Sequence, residues 1–166
     1  MSYDFNVDEI FKMAEQIEKN GEDFYRKMAE NISNTQVSQF FFDLADMEAK
    51  HEKVFASMRA DLTDQEQMPT VFDMEGEAAL YLRALADLQV FGREGKNDFI
   101  LSDDLPEQDR IQRIHRAAIG LEMESIVFYL GMKELVPKRL GKDKIDKIIK
   151  EEMGHIRLLS GFQKKL

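Results

Sequence analysis

The sequence contains no cysteine and no tryptophan among its 166 residues, and it contains only three prolines. The absence of cysteine excludes disulfides, thiolate metal sites and cysteine nucleophiles. Basic residues are also scarce, with 23 against 32 acidic ones, which gives a formal net charge of −9. This charge argues against nucleic-acid and anionic-membrane partners, whereas an acidic surface attracts cations.

Long apolar runs are missing as well, and the N-terminal segment has no positively charged region followed by an apolar core. No stretch approaches the ~18 apolar residues of a membrane-spanning helix. With 43% apolar residues, the chain is long enough to bury one sizeable core. We therefore expect a single domain over residues 1–166, in a soluble cytoplasmic protein.

Apolar residues recur at intervals of three and four rather than two, between the widely spaced Pro69, Pro106 and Pro137. This period predicts an all-α fold. Either Ser33 or Asn34 can cap the second helix. The sequence predicts two pairs of helices, each pair joined by a short loop, and a long connection between the pairs. This order indicates a four-helix bundle with an extra helix in its crossover. The predicted helices cover approximately residues 7–31, 34–62, 74–91, 106–136 and 142–165.

Two of the helical faces are interrupted by ionisable residues at the same spacing. Glu48 and His51 lie in the middle of the apolar face of the second helix, and Glu152 and His155 do so in the last helix. A single Glu-x-x-His in a charged helix is usually a solvated surface pair. Here both pairs interrupt rows of core residues, which favours a buried functional role.

The second half of the chain repeats the first with one offset, since Glu152 follows Glu48 by 104 positions. The same offset aligns AEQIEKNGEDFYRKM with AIGLEMESIVFYLGM, and it places Glu18 on Glu122. Pseudo-twofold symmetry would bring four glutamates and two histidines together. Buried carboxylates repel one another, so a cation is expected among them. Oxygen and imidazole ligands suit iron or manganese and are acceptable to zinc.

A Glu from each of two helices, with a Glu-x-x-His from each of the other two, is the ferritin-like di-metal arrangement. On these residues the chain resembles the rubrerythrin branch of the ferritin-like di-iron carboxylate superfamily, over essentially its whole length. The resemblance implies two iron ions, with Glu48 and Glu152 as bridges. The metal ligands that it implies are Glu18, Glu48, His51, Glu122, Glu152 and His155.

Two departures from the rubrerythrin pattern affect the expected chemistry. Rubrerythrins have an extra carboxylate three residues after the ligand of the third helix, and this position is Ser125 here. The redox-linked ligand exchange at that carboxylate is therefore in doubt. Rubrerythrins also append a cysteine-ligated rubredoxin domain, and no cysteine is present here. Electrons must then come from a separate donor protein.

Four further residues were candidates for a role near the site. Tyr25 and Tyr129 each lie seven residues after a candidate ligand, on the same helix face, where a phenol can hydrogen-bond a carboxylate, donate an electron or simply fill the core. His115 is interpreted as a structural histidine. Glu151 can orient a histidine of the facing helix, but Met47 occupies the matching position in the first half, so the interpretation as a solvated charge is favoured.

The resemblance implies a non-haem di-iron oxidoreductase that reduces hydrogen peroxide or dioxygen. The alternatives are a ferroxidase for iron storage or detoxification and a non-enzymatic metal-binding protein that holds zinc. The ligand set does not separate them, although the long connection favours the rubrerythrin type. The segment 74–91 has more apolar surface than a simple linker requires, so it can cover its own bundle or pack against a second subunit, and we expect a homodimer.

Overall fold

The structure is a computed structural model that describes residues 7–64, 80, 81, 84 and 105–163. Over these residues it contains four long α-helices and a short 3-10 helix at Lys138–Leu140, which confirms the all-α prediction. None of the four helices is long and apolar enough to cross a membrane. The long helices are α1 (Val7–Glu30), α2 (Thr35–Ala60), α3 (Glu107–Leu135) and α4 (Lys142–Gln163).

Most of the helix predicted at 74–91 lies outside the described residues. Within that segment, Leu80, Tyr81 and Ala84 are helical. The Tyr81 hydroxyl donates a hydrogen bond to the carbonyl of Val127 at 3.5 Å. Tyr81 therefore contacts α3.

The chain turns between helices at residues suited to those turns. Of the two predicted caps of α2, the structure uses Asn34, whose Oδ1 accepts hydrogen bonds from the amides of Gln36 and Val37. Gly141 has a φ of 95° at the turn into α4, a conformation that glycine adopts without the strain of a Cβ. Together these two turns produce the two helix pairs α1–α2 and α3–α4.

The relative direction of the helices follows from two apolar clusters. One cluster joins the start of α1, the end of α2, the end of α3 and the start of α4, and the second joins the opposite ends. The helices α2 and α3 therefore run parallel, as the long crossover requires. The most extensive packing is within each pair, and the pairs meet through α1 against α3 and α2 against α4.

A layer of buried polar side chains separates the two apolar clusters in the middle of the bundle. These side chains are Glu18, Glu48, His51, Glu122, Ser125, Glu152 and His155, and a further buried polar side chain, His115, lies among the apolar residues of the second cluster. Buried carboxylates are costly without a positive partner, so this layer is the part of the fold that requires a functional explanation.

Candidate metal centre

The six predicted ligands converge from all four helices. Two overlapping groups each place one ligand atom per residue within 4.8 Å of every other. Glu48 and Glu152 belong to both groups. The groups are Glu18, Glu48, His51 and Glu152, and then Glu48, Glu122, Glu152 and His155.

Both histidines turn Nδ1 towards the carboxylates. The Nδ1 of His51 is 2.8 Å from Glu152 Oε1 and 3.4 Å from Glu18 Oε2. The Nδ1 of His155 is 3.0 Å from Glu152 Oε2 and 3.1 Å from Glu48 Oε1. The two imidazole rings are stacked with their centroids 5.5 Å apart. The symmetry that the sequence repeat predicted is therefore visible at the level of single atoms.

The two tyrosines bind the carboxylates across the bundle. Tyr25 donates a hydrogen bond to Glu122 Oε1, and Tyr129 donates one to Glu18 Oε1. Each glutamate keeps its other oxygen, Oε2, 3.4 Å from the Nδ1 of the nearer histidine. Burial and the neighbouring carboxylates hold the pKa of both phenols well above the usual range, so both remain donors. Each phenol thus fixes one oxygen of a glutamate, while the other oxygen faces the nearer histidine.

The residues present fit bound metal ions. Six buried atoms of the predicted ligands form no hydrogen bond of good geometry in the described part of the chain, although histidine nitrogens and carboxylate oxygens among them lie 2.8–3.4 Å apart. Cations between the carboxylates would satisfy them with the oxygen and nitrogen ligands that iron, manganese and zinc accept. The six atoms are Glu18 Oε2, Glu48 Oε1, His51 Nδ1, Glu152 Oε1, Glu152 Oε2 and His155 Nδ1.

The electrostatics of the centre favour positive charge. Burial raises the pKa of Glu18 and Glu122 well above the usual range, and the neighbouring carboxylates add to this effect. Burial by itself would lower the pKa of His155, but its contacts with Glu122 and the other carboxylates raise that pKa to about 12. The pKa of His51 is raised in the same way. These carboxylates stabilise a cation, whether it is a proton or a metal ion.

The interpretation of Glu151 as a solvated charge is wrong. The Nε2 of His51 donates a hydrogen bond to Glu151 Oε2 at 2.8 Å, although the Glu151 side chain is 44% exposed. A carboxylate in this place fixes the imidazole with its other nitrogen towards the centre. Met47 provides no such partner in the other half, so the two halves of the centre differ here. The repeat suggested this asymmetry, but only the packing of α2 against α4 decides the contact.

Two other buried polar residues have structural contacts. His115 donates a hydrogen bond from Nε2 to the carbonyl of Leu159 at 2.6 Å, in agreement with its structural interpretation. Ser125 donates from its hydroxyl to the carbonyl of Glu122 at 2.9 Å. Neither side chain adds a ligand atom to the centre.

A cavity of about 30 Å³ lies beside the centre on the α1–α3 side. Its volume is roughly that of one water molecule. Gly21 and Ser125 occupy equivalent places in the repeat, three residues after Glu18 and Glu122. A Cβ at Gly21 would lie 3.3 Å from Glu48 Cγ, so a larger residue would intrude on the site. Sequence reasoning did not single out Gly21, although its alignment with Ser125 was a signal. The lining residues are Ile17, Asn20, Gly21, Tyr25, Glu48, Leu121, Glu122 and Ser125.

Comparison with known proteins supports the fold and the resemblance. The family model for rubrerythrin matches residues 9–87, a range that includes most of α1 and all of α2. A solved structure from Thermotoga maritima, provisionally described as a ferritin-like diiron-carboxylate protein, matches 99% of this chain and 98% of its own length. The TM-score is 0.70 and the sequence identity is 23%. No curated protein matches the sequence. The fold is therefore the ferritin-like four-helix bundle.

Proposed function

We propose that this ferritin-like chain binds two iron ions and reduces hydrogen peroxide to water, with electrons from a separate donor protein. The observation that carries the proposal is the convergence of six ligand residues in the middle of the bundle, where their buried oxygen and nitrogen atoms face one another. A ligand set of carboxylate oxygens and imidazole nitrogens, without thiolate, is well suited to iron. The match of the rubrerythrin model to the first half supports the same metal.

The proposed ligand roles follow from the positions of the side chains. Glu48 and Glu152 belong to both ligand groups, which supports a bridging role for each. The remaining ligands divide into one glutamate and one histidine for each ion. These pairs are Glu18 with His51 and Glu122 with His155.

Two ferrous ions, when bound, would supply one electron each. Two electrons and two protons convert one hydrogen peroxide into two water molecules. The protein fixes the spacing of the ligands and limits what reaches them. Tyr25 and Tyr129 each hold one oxygen of Glu122 and Glu18, respectively, and so prevent these carboxylates from turning towards one another. We assign the tyrosines this positioning role.

The small cavity supports a small oxidant. At about 30 Å³ it accommodates a molecule the size of water, hydrogen peroxide or dioxygen. It lies beside Glu48 and Glu122, which is the side of the centre opposite the histidines. Gly21 and Ser125 keep this side open because neither has a large side chain.

We also propose a homodimer. A row of exposed apolar side chains along α3, formed by Met123, Val127 and Leu130, supports an apolar contact with a second copy. Light scattering during size-exclusion chromatography would measure the mass. A very large assembly would instead indicate an iron-storage cage.

An anaerobic Fe(II) titration followed by rapid mixing with oxidant tests the proposed activity. We expect two ions per chain and an absorbance change of the oxidised centre that develops much faster with hydrogen peroxide than with dioxygen. The matched variants are Glu48→Ala, which removes a proposed bridge, and Glu52→Ala, which removes a carboxylate one helical turn along α2 outside the centre. Circular dichroism would verify the fold of both.

Three results would contradict the proposal in different ways. Equal or faster oxidation by dioxygen would favour a ferroxidase. Stable binding of zinc with no oxidation after reconstitution with iron would favour a non-enzymatic metal-binding protein. Unchanged iron binding by Glu48→Ala would remove the di-iron centre itself.

A further inference from the structure

The outer face formed by α2 and α4 is basic, although the protein as a whole is acidic. Two adjoining surface grooves between these helices are lined by six basic side chains and a single carboxylate, Glu151. All six basic residues are exposed. We call this surface the basic groove. Its basic residues are Lys50, Lys53, Lys144, Lys147, Lys150 and Arg157.

The positive charge of the basic groove is largely uncompensated. Glu151 is hydrogen-bonded to His51, and it lies 3.6 Å from Lys147 Nζ. Among the residues that the structure describes, the other five basic side chains have no carboxylate within 4.0 Å. The six basic residues and Glu151 together contribute +5, and because the chain carries −9 in all, the remaining residues sum to −14. The groove is thus a local positive region on a strongly negative molecule.

The floor of the basic groove reaches the metal centre. Both His51 and His155 line it, and both direct Nδ1 inwards to the carboxylates. The outer edge of His51 faces Glu151 in the groove. The two imidazoles are therefore a direct covalent path between this surface and the proposed ions. The small cavity of the centre lies on the other side, between α1 and α3.

We propose that the basic groove is the docking site of the electron donor, an acidic one-electron carrier protein, and that electrons enter through His51 and His155. This inference rests on the proposed function. The donor is oxidised by one electron in each of two encounters, and the two electrons with two protons reduce one peroxide to two waters. Donor and peroxide then use opposite sides of the bundle, so neither blocks the other.

The charge distribution favours a small acidic protein over an extended polyanion. A partner of small footprint contacts the positive groove and avoids the surrounding negative surface. A nucleic acid or an anionic membrane extends beyond the groove and meets the charge of −14 on the rest of the chain. A weak complex with rapid, salt-dependent association is expected, since electrostatic steering acts mainly on the association rate.

The test compares two variants that change the net charge equally. Lys53→Glu with Lys150→Glu reverses two charges in the basic groove, whereas Lys12→Glu with Arg116→Glu reverses two exposed charges on α1 and α3. The probe is an acidic plant-type [2Fe–2S] ferredoxin, and cytochrome c serves as a basic carrier of opposite charge. Circular dichroism and metal content verify that each variant is folded and loaded.

Binding is measured first, by calorimetry with the zinc-loaded protein and oxidised ferredoxin at low ionic strength, because zinc removes any dependence on turnover. We expect the groove variant to bind at least about tenfold more weakly, the control variant to retain most of the affinity, and added salt to weaken binding by the parent. Absence of binding by the parent, equal losses in both variants or tighter binding of cytochrome c would overturn the proposal. Tighter binding of a DNA duplex or anionic vesicles would also overturn it.

Electron transfer is measured second, by stopped-flow reduction of the diferric protein with reduced ferredoxin and with a neutral quinol. The ratio of the ferredoxin rate to the quinol rate should fall about tenfold or more in the groove variant alone. An unchanged ratio would refute docking at the groove. Failure of the parent to react with peroxide after quinol reduction would instead contradict the proposed activity, and the binding result would remain interpretable.

Discussion

Exchanging Met47 and Glu151 should reverse the order in which the two metal positions fill. Glu151 accepts a hydrogen bond from His51 Nε2 at 2.8 Å, and the equivalent residue of the other half, Met47, cannot act in this way for His155. Met47 and Glu151 line the same groove, which also contains both histidines. Glu151→Met makes the two halves alike, Met47→Glu provides the second carboxylate, and the double variant transfers the asymmetry.

The size of the effect can be worked out from this contact. Loss of a carboxylate that orients a metal-binding histidine typically costs 10–100-fold in metal affinity. The Glu151 side chain is 44% exposed, so water can replace part of its interaction. We therefore expect a loss of metal affinity at the lower end of this range, about tenfold, which corresponds to about 1.4 kcal/mol. In the parent, the position at His51 should bind about tenfold more tightly than the position at His155.

Competitive titration of the metal-free protein with Co(II) against a chelator gives the two stepwise affinities. The paramagnetically shifted Nε2–H resonances of His51 and His155 identify which position fills first. We expect the His51 signal first in the parent, near-equal filling in Glu151→Met, and the His155 signal first in the double variant. Equal affinities in the parent, or no change in Glu151→Met, would refute the reasoning.

Other perturbations have equally specific outcomes. Tyr25→Phe removes the donor to Glu122, and urea unfolding of the metal-free protein should show a loss of about 1–3 kcal/mol in the free energy of unfolding, so an unchanged stability would contradict the role of this hydrogen bond. Gly21→Ala brings a Cβ to 3.3 Å from Glu48 Cγ and should lower metal affinity and slow peroxide reduction, whereas Ser125→Ala should change both less. The parent should react far more slowly with tert-butyl hydroperoxide than with hydrogen peroxide, since the cavity is about 30 Å³. Zinc at 100 times its Kd should add about 2.7 kcal/mol to the free energy of unfolding for each site that it occupies, and an unchanged Tm would contradict this.

The repeat was the most informative feature of the sequence. A single Glu-x-x-His has an ordinary explanation as a surface pair, but Glu48 with His51 and Glu152 with His155 recur at one offset, each inside a row of apolar residues. Helical periodicity places these residues on buried faces, and the long connection makes α2 and α3 parallel. Fold class and the convergence of the six candidate ligands could therefore be predicted without coordinates.

Contacts between different helices could not be predicted in the same way. The repeat places Tyr25 and Tyr129 near the candidate ligands of their own helices, yet each phenol binds the glutamate of the other half. Asn34 and Ser33 were equivalent as caps until the backbone showed which side chain meets the first amides of α2. The helix predicted at 74–91 falls largely outside the described residues, so its position stays a prediction.

Sequence by itself determined the period of the helices, the symmetry of the halves and the residue types in the polar layer, because these depend on spacing along one chain. Tertiary structure alone decided which helix faces meet. The packing of these faces places Glu151 in contact with His51, leaves the cavity beside Gly21, and brings basic residues of α2 and α4 together in one groove. Each of these features depends on the distance between residues about 100 positions apart, and local periodicity contains no information about that distance.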